Sequence, residues 1–477
     1  MVGKTRFELA TPCTPCKYAT GLRHFPNKWG AKIRLNSFLQ NTFWNCYLRA
    51  IHIFMDILLR KAVIQDPAST YSGKKMDLLI RDGVISEIEQ HIDAPPGATL
   101  VEHENLFVSP GWIETFSNFC DPGYEHKENL ETGAAAAAAG GFTRVFVVPN
   151  TSPTLHTKSQ IEYIIEKSKR LPVYIHPIGA LTKNTEGKEL TEIYDMFASQ
   201  AVAFSDGFQP VQSAGLLIKA LQYAKAIDGV VIQVPEDRTI QPGGLMNEGI
   251  VSTRLGLPGK PVLSEVLMLQ RDLELNRYAD SELHFTGITS AKSVELIRKA
   301  KAEGLRVSCS VTPHHLFFCD EDLADYNTNL KVSPPIRTAA DRLALREGLL
   351  DGTIDMIACH HQPHEWDSKT CEFEYAQSGI IGLESCFGVL GALQLPIEKI
   401  IEFLCIQPRN RFKLKQPAIE KGCVAELTLF NPDCEYVFEQ TDLRSASSNS
   451  PFMGMTLKGK VIGILNKDSL FLNDIKL

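Results

Sequence analysis

Four short runs concentrate the side chains that could do chemistry. They are Glu114-Thr115-Phe116-Ser117-Asn118-Phe119-Cys120-Asp121, Pro149-Asn150-Thr151 with His156 soon after, Thr312-Pro313-His314-His315, and Cys359-His360-His361-Gln362-Pro363-His364. Imidazoles and carboxylates brought to one place can hold a metal ion or move protons. His156 and His360, joined by His361 or His364, would suffice for a mononuclear zinc site; the alternative is a pocket of hydrogen-bonded imidazoles. His314 and His315 read as loop-packing histidines, and Arg337, after Pro334-Pro335, as a loop anchor. A lone Cys13-x-x-Cys16 is a weak zinc signal without a second pair.

The elements that must position these runs alternate. Apolar strand candidates begin near Val108, Thr143, Val173, Ala201, Gly229, Leu283, Arg306 and Asp355. Helical patterns lie between them, including Glu128 to Ala139 with its six consecutive alanines, Ser159 to Lys169, Ser213 to Ala226, and Ala291 to Ala302. Eight strand–helix units predict an α/β fold of the (β/α)8 TIM-barrel type, in which chemistry sits at the C-terminal strand ends. An open doubly wound sheet is the competing arrangement, but no Gly-x-Gly-x-x-Gly follows a first strand. Both ends of the chain are β-rich, with Asp82-Gly83 as a hairpin signal. Residues 55–108 and 422–477 therefore predict one composite β-domain around a barrel at 109–421.

The chain of 477 residues is 44% hydrophobic and 22% charged, which suits a globular protein with a large core. A net charge of −7 argues against nucleic acid or an anionic membrane as partner. No apolar run reaches the roughly 18 residues of a membrane span. Twelve scattered cysteines point to reduced thiols in a cytoplasmic protein. Residues 1–54 differ from the rest: they carry eight Lys/Arg and one acid, Glu8, against 41 Lys/Arg and 55 Asp/Glu beyond. This basic segment could be a transit peptide. We favour an over-extended start instead, because Arg6-Phe7-Glu8-Leu9-Ala10-Thr11-Pro12 looks like translation through a transfer-RNA gene and Met55 opens a strand.

The motifs also carry a resemblance. Pro122-Gly123-Tyr124-Glu125-His126-Lys127-Glu128, Gly140-Gly141-Phe142-Thr143, Pro149-Asn150-Thr151, Asn247-Glu248-Gly249, Thr312-Pro313-His314-His315-Leu316, Lys331-Val332-Ser333-Pro334-Pro335-Ile336-Arg337 and Gly379-Ile380-Ile381-Gly382-Leu383-Glu384 resemble, in order, the dihydroorotase family of amidohydrolases. Allantoinase and hydantoinase share that barrel. The resemblance implies reversible hydrolysis of a cyclic amide in pyrimidine biosynthesis, with one or two zinc ions polarising a carbonyl and activating water.

It also implies ligand positions, and these have changed. The Asp-x-His-x-His of strand one falls on Glu114, Phe116 and Asn118. The bridging carboxylate falls on His156, the later histidines on Val234 and Gly287, the catalytic aspartate on His360, and the substrate-gripping arginine on Cys120. Asn150, His361 and His364 match substrate-side positions. Asn150 could equally cap the turn before Pro153, and the two histidines could serve a polar loop. The expectation is a pseudoenzyme with no cofactor. Some bacteria pair a similar inactive homologue with aspartate transcarbamoylase, which implies a scaffold or regulatory role, and a homo-oligomer is expected. The alternatives are an active cyclic-amide hydrolase with zinc in a remodelled site, and a non-catalytic binder of dihydroorotate-like rings.

Overall fold

The computed structural model describes residues 56–466 and 469–473. The expectations for residues 1–54, including Cys13-x-x-Cys16, lie outside the described residues.

Eight parallel strands follow one another in chain order: β1 Trp112–Ser117, β2 Phe142–Val147, β3 Tyr174–Gly179, β4 Ala203–Phe204, β5 Val230–Gln233, β6 Glu282–Phe285, β7 Val307–Val311 and β8 Met356–Ile357. β1, β5 and β7 are buried along their whole length. Burial from end to end is what a parallel sheet covered on both faces requires. The ring closes where β8 meets β1. Asn118 N–H donates to His361 O at 2.8 Å, and Cys359 N–H donates to the Glu114 carboxylate at 2.7 Å. The barrel therefore stands as expected, with one shift. Val108 belongs to a strand of the other sheet, Phe107–Pro110, and the barrel begins after Gly111.

The predicted helices appear as Leu130–Ala139, Lys158–Ser168, Ala214–Ala226 and Ala291–Ala302. Asn129, Ser213 and Ser290 accept N-terminal backbone N–H groups as caps. Helix Leu263–Ala279 was not anticipated. Its inward face buries Glu265, Asp272 and Asn276, which breaks the apolar period that announces a helix. Glu265 instead accepts from Thr289, Ser290 and Ser293 at the start of helix Ala291–Ala302.

The second sheet is built from both ends of the described chain. Ile57–Ile64, Lys75–Arg81, Val84–Glu89, Thr99–Val101 and Phe107–Pro110 join Leu427–Val437, Thr456–Asn466 and Ser469–Leu472. Asp82 and Gly83 both have positive φ between the paired residues Arg81 and Val84, the two-residue turn that the Asp-Gly signal predicts. Glu426, at the start of the C-terminal strands, ties this sheet to the barrel. It receives Arg144, Thr143 and the fully buried Arg409. Among the described residues no helix is long and apolar enough to cross a membrane.

Candidate functional site at the barrel mouth

The barrel interior is apolar nearly to its C-terminal end. Ile113, Phe116, Phe146, Ile178, Ile232, Val234, Ala358 and Phe412 form one buried cluster. Phe116 and Val234, two of the positions where the resemblance implies histidines, are members of that core.

A polar seam runs through it along β6 and β7. His284 bonds to Ser308 at 2.8 Å and to Ser310 at 3.1 Å. Ser310 meets Thr286 at 2.8 Å, and Thr286 meets His360 Nε2 at 2.7 Å. Sequence reasoning did not pick out His284, Thr286, Ser308 or Ser310. Their spacing of two on adjacent strands was the available signal, because it turns them to one face.

His360 ends the seam. It follows β8 with a φ of 50°, and its buried ring stacks on Phe116 with centroids 4.7 Å apart. Burial holds its imidazole neutral, down to about 3. Gly287, at the end of β6, faces this ring. A Cβ there would lie 2.6 Å from His360 Cε1, and its φ of 69° already favours glycine. The strand-eight imidazole thus takes the space that a strand-six side chain would need.

Around β1, Glu114 is fully buried, and burial raises its carboxyl above the usual range. It accepts from Phe116 N–H at 2.8 Å as well as from Cys359 N–H. Asn118 Oδ1 accepts from Cys120 N–H at 2.9 Å. The Cys120 thiol is pushed up to about 12 by burial and by the Glu128 carboxylate. His361 Nδ1 accepts from Gly382 N–H at 3.3 Å, and its Nε2 lies 3.5 Å from Glu128 Oε2. His364 Nε2 donates to Ser378 O at 3.0 Å, and burial lowers its imidazole to about 4.

Asn150 does not cap its own turn. Its amide donates to Asp206 O and accepts from Phe208 N–H, both at 3.0 Å, which ties the β2 end to the loop after β4. His156 donates its backbone N–H to Gln160 at 2.9 Å. His315 bonds to Thr312 and Pro334 O, and Arg337 to Asn247 and Lys260 O, so both knit loops together. His360 gathers Phe116, Phe208 and Thr286 around it. Among the described residues, no group of three or more His, Cys, Asp or Glu is placed to hold a metal ion.

Comparison with known proteins matches this architecture. The model of the Dihydro-orotase-like family matches residues 106–293. A dihydroorotase of Syntrophus aciditrophicus (strain SB) is 39% identical over 414 residues, covering 86% of this chain and 97% of the relative. A dihydroorotase of Acetivibrio thermocellus is 38% identical over 411 residues, covering 85% and 96%. Among solved structures, L-hydantoinase (dihydropyrimidinase) from Arthrobacter aurescens has a TM-score of 0.75 at 23% identity, covering 88% of this chain and 96% of that one. A D-hydantoinase has a TM-score of 0.72 at 20% identity, covering 87% and 95%. The hydantoinases share the fold, and the identity to proteins matched along nearly their whole length settles the lineage: the chain belongs to the dihydroorotase family.

Proposed function

We propose that this protein is a dihydroorotase-family member whose barrel mouth does not support the family's zinc chemistry, and that it acts in pyrimidine biosynthesis as a non-catalytic scaffold or regulatory partner of aspartate transcarbamoylase. The packing of His360 against Gly287 carries this reading. The residues present do not fit a binuclear zinc centre. Phe116 and Val234 offer no donor atom, Gly287 offers no side chain, and the ring of His360 fills the room a ligand on β6 would use. Four histidine positions without imidazole remove the basis for high affinity. The partner follows the precedent of inactive homologues.

The identity to proteins named dihydroorotase favours a second reading, an active cyclic-amide hydrolase with a remodelled site. Its donors would be His156 and His360. Dihydroorotate hydrolysis with added zinc, measured on protein purified without a histidine tag, separates the two. We expect no turnover above the buffer blank and sub-stoichiometric zinc. Turnover near that of the Syntrophus relative assayed alongside would overturn the proposal. Co-purification with aspartate transcarbamoylase tests the scaffold role, and calorimetry with dihydroorotate tests a binding-only role.

A further inference from the structure

The polar seam inside the barrel holds one more proton than its own hydrogen bonds use. Ser308, His284, Ser310, Thr286 and His360 are joined end to end by bonds of 2.8, 3.1, 2.8 and 2.7 Å. Among the described residues, only hydroxyls bond to these two rings, and no carboxylate does. Burial, with the Arg411 and Lys301 charges near His284, keeps both imidazoles neutral. A neutral imidazole has one N–H, and a hydroxyl one O–H. Five groups therefore bring five donors to four bonds, and one donor is left over.

The surroundings decide where that donor stands. Among the described residues, the hydroxyls of Ser308, Ser310 and Thr286 have no acceptor outside the seam, and all three residues are buried. A leftover O–H on any of them would be a buried, unpaired donor, at a cost of about 1–3 kcal/mol. The inner end also has the wrong sign for a donor. Arg411 Nη2 donates to Leu283 O at 2.6 Å and to Arg306 O at 3.4 Å, which places its guanidinium toward the N-terminal ends of β6 and β7. The Phe412 ring lies 5.7 Å from that of His284. Glu282 is taken by Arg411 and Asp355 by Lys301, and neither carboxylate bonds to the seam.

His360 is the outer end. It follows β8, at the rim where barrels of this type bind their ligands. Its Nε2 takes the bond to Thr286, and no described group is bonded to its Nδ1. We propose that the seam is polarised outward and presents a neutral N–H at His360 Nδ1, a donor site for the carbonyl or carboxylate oxygen of a ligand at the barrel mouth. In this direction Ser308 donates to His284 Nδ1, His284 Nε2 to Ser310, Ser310 to Thr286, and Thr286 to His360 Nε2. Stacking on Phe116 and the close approach of Gly287 fix the ring that carries the donor. The site needs neither zinc nor turnover, so it stands or falls separately from the scaffold role.

Long-range proton–nitrogen NMR of the full chain, labelled with 15N-histidine, distinguishes protonated from bare ring nitrogens. Loss of signals in His284→Asn and His360→Asn assigns the two rings. At pH 7.5 the native chain should carry its protons on His360 Nδ1 and His284 Nε2. A proton on His360 Nε2 would overturn the outward direction. Ser308→Ala should leave both tautomers unchanged, because it removes only the innermost donor. If the seam ran inward, the same change would strand His284 Nδ1–H and flip both rings, which would equally overturn the proposal. His315, bonded to Thr312 and to Pro334 O, reports whether the variant remains folded. Titration with 2-piperidone, a plain cyclic amide, and with acetate then separates the two acceptor classes. One of them should shift the His360 Nδ1–H resonance saturably. Silence from both would remove the ligand role.

Discussion

The Glu114 carboxylate accepts the backbone N–H of Cys359, 245 residues further along the chain, at 2.7 Å. With its other oxygen on Phe116 N–H, this side chain joins the first barrel strand to the last. Where the family resemblance implies a metal-site aspartate, the longer glutamate is spent on closing the ring.

Glu114→Gln should therefore destabilise the fold. The amide keeps one acceptor and turns an NH2 toward the other backbone N–H, which leaves a buried donor unpaired. The expected loss is about 1–3 kcal/mol in urea unfolding, with faster hydrogen exchange at Cys359. Native stability in this variant would show that the seam does not depend on the carboxylate.

Gly287 and His360 should behave as one unit. Gly287→Ala forces a Cβ against the imidazole and into a left-handed backbone, at a cost of about 2–4 kcal/mol. In a His360→Ala background only the backbone cost remains. A double-mutant cycle should show coupling of about 1 kcal/mol or more, and simple additivity would contradict the steric account.

Acid should loosen the mouth. Burial holds His360 near 3, and His315 and His364 near 4, against about 6.5 when unfolded. A lowered imidazole leaves the fold at full strength above about 6.5 and weakens it progressively as pH falls toward the folded value, because the unfolded chain binds the proton first. Asp206 and Asp272, raised by burial to about 6, act in the opposite direction. The comparison is thus between native protein and His360→Asn, whose side chain tolerates the positive φ. From pH 7.5 to 5 the variant should lose about 2 kcal/mol less than the native chain. Parallel pH profiles would show that His360 is not the group responsible.

Asn150 should be needed for stability. Asn150→Ala strands Phe208 N–H and leaves Asp206 O with Gln209 N–H as its one donor, with an expected cost of about 1–3 kcal/mol in denaturant unfolding. An unchanged midpoint would free Asn150 for a purely ligand-directed role.

Much of the architecture was legible in the residues themselves. The strand–helix alternation, the capped helices and the Asp82-Gly83 turn arise from contacts within a few residues, so short-range pattern suffices to read them. The helix Leu263–Ala279 escaped because Glu265, Asp272 and Asn276 interrupt its inward face, and the partners of Glu265, Thr289, Ser290 and Ser293, lie on another element. The sequence also determined which side chains stand at the strand ends, since residue types do not depend on folding. Their employment was decided only by barrel closure. His360 stacks on Phe116 and fills the hollow beside Gly287, Glu114 finds Cys359, and Asn150 is committed to the loop after β4. Each of these pairings joins residues tens to hundreds of positions apart, and burial gives them their strength by removing water as a competing partner.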